Sequence, residues 1–164
     1  MFSLHKISVS VLSFAFFLNA SGIGSYRNPA GASENGMGYS CVMKPDFWSS
    51  FYNQALLPLQ KSIQTGVNFE NRFGIRELGT ATAAVIIPSG KASLGAICSH
   101  SGYRDFRRQA LGLACGLKFS EKISAGAQID YYSENYPGTE CHARIVTAEF
   151  GLHISPSENV MMGL

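Results

Sequence analysis

The sequence predicts an all-β fold: the antiparallel meander of a transmembrane β-barrel, incomplete in this chain, behind a short helical or irregular plug segment. Three observations carry this. The first is the hairpin centred on Ser120-Glu121-Lys122. Folding the chain about Glu121 sets Phe119 opposite Ile123, Leu117 opposite Ala125, Cys115 opposite Ala127, Leu113 opposite Ile129 and Leu111 opposite Tyr131, all apolar. The other face carries Lys118/Ser124, Gly116/Gly126, Ala114/Gln128 and Gly112/Asp130, which are small or polar. A soluble sandwich would place many charges and threonines on its solvent face; an apolar outside with a small, polar inside is the barrel pattern. The second is composition: charged residues make up 15% of the chain, against roughly 25% in soluble domains, and 17 residues are glycine. The third is the connections. Short turns at Pro88–Gly90, Ser120–Lys122 and Ser155–Asn159 alternate with longer polar stretches at Asn71–Glu77, Ser99–Arg108 and Glu134–Cys141, as periplasmic turns alternate with external loops.

Residues 1–22 read as a secretory signal peptide. Lys6 precedes an apolar run from Ile7 to Leu18, and Asn19-Ala20-Ser21-Gly22 supplies a small-residue exit. The run is too short for a spanning helix of about 20 residues, and no later stretch is long and apolar enough. In a membrane, therefore, only a closed barrel satisfies this backbone. The expected location is the outer membrane, with outer-membrane lipid as a partner.

Residues 23–60 read as an N-terminal plug or periplasmic segment. Gly22–Ser40 is loop-like, with a turn at Asn28-Pro29-Ala30-Gly31, and Met37–Met43 is expected to form a short strand. Lys44-Pro45-Asp46 breaks it, and Asp46 is placed to cap Phe47–Leu59. Loop parity leaves no room for a membrane crossing there. Trp48, Phe51 and Tyr52 have helical spacing, and Pro58 removes a ladder donor. The plug residues Trp48, Phe51, Tyr52, Asn53 and Gln54 are expected to touch inward-facing Gln64, Asn68, Gln128 or Glu149.

Residues 61–164 read as a partial barrel. In Lys61–Asn71, Gln64, Gly66, Asn68 and Glu70 share one face and Ile63, Thr65, Val67 and Phe69 the other. Leu78–Ile87 is apolar on both faces, leaving its orientation open. Ala92, Leu94, Ala96 and Cys98 then oppose Ser93, Gly95 and Ser99. After the Glu121 hairpin, Val146, Ala148, Phe150, Leu152 and Ile154 face out while Thr147, Glu149, Gly151 and His153 face in. The lumen-facing set is Gln64, Asn68, Glu70, Gln128, Asp130, Thr147 and Glu149. About six spanning strands and a stub at Val160 fall short of the roughly eight of a closed barrel, so an open sheet with two unpaired edges is expected. An arginine at Leu113 is expected to cost about 2–4 kcal/mol in lipid, and at Gly112 much less.

Pro29-Ala30-Gly31-Ala32, Gly36-Met37-Gly38, Trp48-Ser49, Tyr52-Asn53-Gln54-Ala55, the run Phe69–Leu78 (Phe-Glu-Asn-Arg-Phe-Gly-Ile-Arg-Glu-Leu) and Lys118–Tyr131 together resemble the PorV/PorQ-like outer-membrane barrels, relatives of the FadL-like fatty-acid channels. The resemblance covers most of the chain after residue 22. It implies an outer-membrane location and a non-enzymatic role. In one branch that role is type IX secretion, with secretion-system proteins or exported cargo as partners; in the FadL-like branch it is transport of hydrophobic small molecules. Family members are longer and finish on a terminal aromatic. This chain ends Met161-Met162-Gly163-Leu164, as an N-terminal fragment would. A secreted soluble β-sandwich is a third reading.

No residue pattern points to catalysis or to a cofactor. His100, His142 and His153 lack metal-ligand spacing, and there is neither a Gly-x-Ser-x-Gly elbow nor a phosphate loop. Glu70, Asp130 and Glu149 on separate strands suit a hydrated lumen better than a catalytic pair. With 13 Lys and Arg against 11 Asp and Glu and no basic stripe, nucleic acid is not an expected partner. Cys98 and Cys115, on the apolar face of neighbouring strands, are a candidate disulfide or simply small hydrophobes. Arg104, Arg107 and Arg108 cluster in the loop before Leu111, as a solvated loop or as a contact for anionic lipopolysaccharide or a partner.

Overall fold

Period-two alternation over long stretches, punctuated by Gly- and Ser-rich turns, produces one antiparallel meander. The computed structural model describes residues 30–71, 74–103, 106–135, 142–157 and 160–164. Its strands are β1 (Gln64–Asn71), β2 (Gly79–Ser89), β3 (Ala92–Gly102), β4 (Arg107–Ser120), β5 (Ile123–Asn135), β6 (His142–Ser157) and β7 (Val160–Gly163). Each pairs with its neighbour in sequence, giving the order β1-β2-β3-β4-β5-β6-β7. The sheet curls into a half-barrel and stays open, with β1 and β7 as its edges.

The β4–β5 register follows the alternation, from Leu117↔Ala125 through Leu111↔Tyr131. One expected pair is not made. Ile123 lies opposite Ser120 rather than Phe119, and the register shifts between Lys118 and Ser120. A two-residue turn at Glu121-Lys122 closes the hairpin more tightly, leaving Phe119 as an extra, bulged residue. The β2–β3 turn also sits one residue later than expected. Ser89 pairs with Ala92, so Pro88 and Ser89 belong to β2 and the turn is Gly90-Lys91. Gly90 has φ +64°, the positive value that a primed hairpin turn needs at its first position.

Pairing settles the orientation of β2. Ala84 opposes Gly66, which lies on the polar face of β1. Thr82, Ala84 and Ile86 therefore point inward and are buried.

Ahead of the sheet come helix α1 (Ala32–Gly36) and two 3-10 helices, Ser49–Phe51 and Gln54–Leu59. The strand expected at Met37–Met43 is absent. Tyr39 N–H bonds to Glu34 O at 2.9 Å and Met37 N–H to Ser33 O at 3.1 Å, and local turns of this kind take up the N–H groups of residues 37–40 that a ladder would use. Part of the expected loop 22–40 is likewise helical, at α1. Asp46 does not cap the first 3-10 helix: its Oδ1 takes the N–H of Phe47 at 2.7 Å, while no side chain caps Ser49–Phe51. Asn53 caps the second helix, accepting from Ala55 N–H at 3.1 Å.

The main core lies between this segment and the sheet. Phe51 and Leu57 pack on Ala84, Ile86 and Ala114, with Phe47, Trp48 and Ile97 around them. Phe51, Leu57 and Ile86, the large side chains buried there, each contribute about 1.5–3 kcal/mol. The signal-peptide reading, the turn at Asn28-Pro29, Arg104, residues 136–141 with Cys141, and Glu158-Asn159 fall outside the described residues.

Candidate functional site: the two faces of the curled sheet

The convex face is apolar in complete rows. Successive pairings set Ala83, Cys98, Leu111, Tyr131 and Val146 in one row across β2–β6. Another row further along is Ile87, Leu94, Cys115, Ala127 and Phe150. Many of these residues are open to the surroundings: Leu113 is 63% exposed, Ile129 61%, Val146 67% and Phe150 79%. From the Leu111 row to the hairpin at Phe119, the outward positions of β2–β6 carry no Asp, Glu, Lys or Arg. At the long-loop end the character changes within one row, where His100, Gln109, Ser133 and Arg144 stand side by side. At the other end the band stops at the Ser120-Glu121-Lys122 turn. Leu111 to Phe119 is eight steps along β4, about 27 Å at roughly 3.3–3.4 Å per residue.

The concave face is built to receive the backbone of residues 53–58. Gly116, Gly126 and Gly151 lie opposite one another on β4, β5 and β6. A Cβ at Gly116 would sit 2.6 Å from Pro58 Cδ and 2.7 Å from Gln54 O; one at Gly126 would overlap the Gln54 carbonyl, and one at Gly151 the Asn53 side chain. Beside this row, Ser124 donates to Ala55 O at 2.6 Å. Asn53 Nδ2 donates to Val42 O at 2.8 Å and to Leu152 O at 3.2 Å. Gln54 Nε2 donates to Glu149 Oε2 at 3.2 Å and, at a long 3.4 Å, to Gln128 Oε1. Gln128 Nε2 in turn donates to Asp130 Oδ1 at 2.7 Å.

Most residues singled out from the sequence therefore meet on this face. Gln128 and Asp130 are buried; Glu149 opposes Gln128 and Thr147 opposes Asp130. Gln64 is tied to the segment through Gln60 Oε1 at 3.1 Å. Asn68 and Glu70 point the same way but stand on the far edge strand, β1. Trp48 and Phe51 are packed apolar groups. Tyr52 accepts from Ala30 N–H at 3.0 Å, and Ser49 donates to Glu34 Oε1 at 2.8 Å, so residues 30–34 are held as well.

Two features were missed. Ser124 and the glycine row have the same parity as Gln128 and Asp130; the glycines were legible as small, but not as seats for another backbone. Arg108 is the other. Its parity with Ala110 and Gly112 turns it inward, where it pairs with the carboxylate of Glu134, which is 2% exposed. Arg107 faces outward, so the arginine cluster divides between the two faces. Gly112 is likewise an inward position under cover, since a Cβ there would lie 2.8 Å from Ile97 Cγ2 and would meet Asp130 Oδ1. An arginine at Gly112 is consequently not the mild substitution expected from the sequence.

Between the segment and β2–β5 lies a pocket of about 40 Å³ lined by Trp48, Tyr52, Thr82, Gln128, Asp130 and Tyr132, among others. Its walls are mainly apolar, with Thr82, Gln128 and Asp130 as polar groups among them, and it has room on the scale of water molecules, not of a solute. Among the described residues there is no cluster of three or more His, Cys, Asp or Glu able to hold a metal ion. Cys98 opposes Leu111 while Cys115 opposes Leu94. That offset of four residues, roughly 13 Å, exceeds the roughly 7 Å Cα separation a disulfide tolerates, and both thiols are free.

Comparison with known protein families, curated proteins and solved structures finds no match for this chain.

Proposed function

We propose that this chain forms part of the wall of an outer-membrane β-barrel whose interior is occupied by residues 30–60. In this reading it acts by binding, in secretion or envelope assembly, and not as an enzyme or a freely diffusive pore. The carrying observation is the convex face: an uncharged band about 27 Å long on β4, ended by the His100–Arg144 row on one side and by the hairpin turn on the other. Tilted by 35–45°, strands of that length give a lipid-facing band somewhat below the roughly 25 Å typical of such barrels. In water the same band would be a contiguous exposed apolar surface of about 500–650 Å² from its strand dimensions, at the upper limit of what soluble monomers keep. The edges of β1 and β7 leave backbone groups that lipid cannot solvate, so further strands must pair with them in a membrane.

The binding role is supported by the filled concave face. The wall glycines seat the backbone of Asn53-Gln54 beside a pocket of about 40 Å³, so the space that a transported solute would use is taken up by the chain itself along β4–β6. The PorV/PorQ-like resemblance of the sequence implies secretion-linked partners in one branch and hydrophobic-solute uptake in the other, and the occupied concave face favours the first. The test is fractionation with flux. The full-length protein is expected in urea-washed outer membranes, and in liposomes it is expected to pass no small solute. Recovery as a soluble periplasmic protein would favour the secreted sandwich instead, and solute flux through the wild-type protein would favour the uptake channel.

A further inference from the structure

At the long-loop end of the convex face the outer wall is indented. β2 and β3 present the small side chains of Ala81, Ala83 and Cys98 there, with His100 opposite Ala81, between Phe69 on β1 and Leu111 and Tyr131 on β4 and β5. The result is a groove of about 860 Å³, at the upper end of the roughly 300–1,000 Å³ of sites that bind small organic ligands. The groove runs up to His100 and Gln109, in the row where the apolar band ends. Around that row the exposed side chains include two arginines, Arg107 and Arg144. Arg107 opposes Gly102 and Asn135, and Arg144 opposes Ser133. Arg107 and Arg144 lie two strands and two residues apart, roughly 12 Å between backbones, a span that two arginine side chains close onto one anion. Among the described residues, the outward positions of β3–β6 at this end carry no carboxylate; Glu134 turns inward to Arg108.

We infer that this corner binds one phosphorylated lipid, with an acyl chain in the groove over Ala81, Ala83 and Cys98 and the phosphate held by Arg107 and Arg144 beside His100. The proposal rests on the convex face meeting lipid. Arginine suits the phosphate because its planar fork makes paired charge-assisted hydrogen bonds, and the small side chains of β2 and β3 leave the chain a slot in an otherwise bulky wall. A free phosphate ion would satisfy the arginines alone; the groove beneath them selects the lipid.

Cys98 in the groove floor is a built-in reporter, and Cys115, in a different row of the same face, is its reference. The full-length protein in detergent micelles is alkylated with a maleimide, and each thiol is read by peptide mass spectrometry. Phosphatidic acid is expected to slow modification of Cys98 by up to about thirtyfold, the order that two near-surface arginines supply, with Cys115 unchanged. Phosphatidylcholine with the same chains, and inorganic phosphate, should leave the ratio of the two rates as it was. The Arg107→Gln/Arg144→Gln double variant should lose the protection. Equal protection by both lipids, protection by inorganic phosphate, or protection that survives the double variant would overturn the lipid site. Flotation with phosphatidylcholine vesicles separates the two levels. A protein that floats without preferring phosphatidic acid loses this site alone, and a protein that does not float loses the membrane reading with it.

Discussion

Replacing Gly126 by alanine adds a single methyl group, and the structure gives it nowhere to go. The new Cβ would overlap the carbonyl carbon and oxygen of Gln54, which are backbone atoms and cannot rotate away. Gly126 is not among the glycines with positive φ, so alanine is compatible with the strand itself and the cost is one of packing. Overpacking of this kind costs about 1–3 kcal/mol. If the segment lifts to relieve it, three hydrogen bonds lengthen together: Ser124 to Ala55 O (2.6 Å), Asn53 to Leu152 O (3.2 Å) and Gln54 to Glu149 (3.2 Å). Each is worth about 1 kcal/mol net, while alanine in a strand returns roughly 0.5–1 kcal/mol over glycine. With the segment lifted, three hydrogen bonds at about 1 kcal/mol each less the roughly 0.5–1 kcal/mol that alanine returns leave an expected net loss of about 2–2.5 kcal/mol, and it falls on residues 30–60 before the sheet. Hydrogen exchange at the amides of Ala55 and Leu56, which bond to Asn53, should accelerate while the strand amides of β4–β6 stay protected. Gly95→Ala is the comparison. Its nearest neighbours are Leu57 Cδ2 at 3.1 Å and Phe51 Cε1 at 3.2 Å, side-chain ends that can move, so its cost should stay near or below about 1 kcal/mol. Unchanged exchange in Gly126→Ala, or equal loss in the two variants, would refute the argument that the glycine row seats the segment.

Leu113→Arg, in the middle of the apolar band, should lower stability in lipid bilayers by about 2–4 kcal/mol, and Gln109→Arg in the polar row by no more than about 1 kcal/mol, as read by urea titration in liposomes. Arg108→Met should destabilise by about 3 kcal/mol by leaving the Glu134 carboxylate in a buried site, and Arg108→Met/Glu134→Leu should recover most of that; denaturation midpoints of the three proteins decide it. In lipid bilayers, Cys98 and Cys115 should react with a membrane-permeant thiol reagent and stay unlinked under mild oxidant. A Cys98–Cys115 disulfide found by non-reducing peptide mapping would contradict the β3–β4 register.

The sheet was legible because its signal is local. Parity around Glu121 assigned Leu113 and Ile129 to one face and Gln128 and Asp130 to the other, and the pairing of β4 with β5 follows it down to Leu111↔Tyr131. Where both faces of a strand are apolar, as in Leu78–Ile87, parity is silent, and only the neighbour Gly66 decided the orientation. Turn positions slipped by one residue at Ser89 and at Phe119, because a bulge or a primed turn changes the count without changing composition. The segment before Lys61 was legible in its aromatic spacing, in Pro58 and in the expected contact of Gln54 with Gln128 and Glu149, which the structure makes. That its backbone sits on the glycine row was not, because it follows from the fold of strands far along the chain. The misjudged Gly112 shows the same limit: a small residue on an inward face reads as open space until whatever covers it is known.

Tryptophan depth and lipid contact test the central claim most directly. In the Trp48→Phe background, single tryptophans are placed at Leu113, Ile129 or Phe150 on the convex face, and at Asn68 or Thr147 on the concave face. Each protein is reconstituted in bilayers with brominated acyl chains. Strong quenching at Leu113, Ile129 and Phe150, with weak quenching at Asn68 and Thr147, is the result expected of a barrel wall. Quenching that does not distinguish the faces, or none at the three convex positions, would show that the apolar band does not meet lipid.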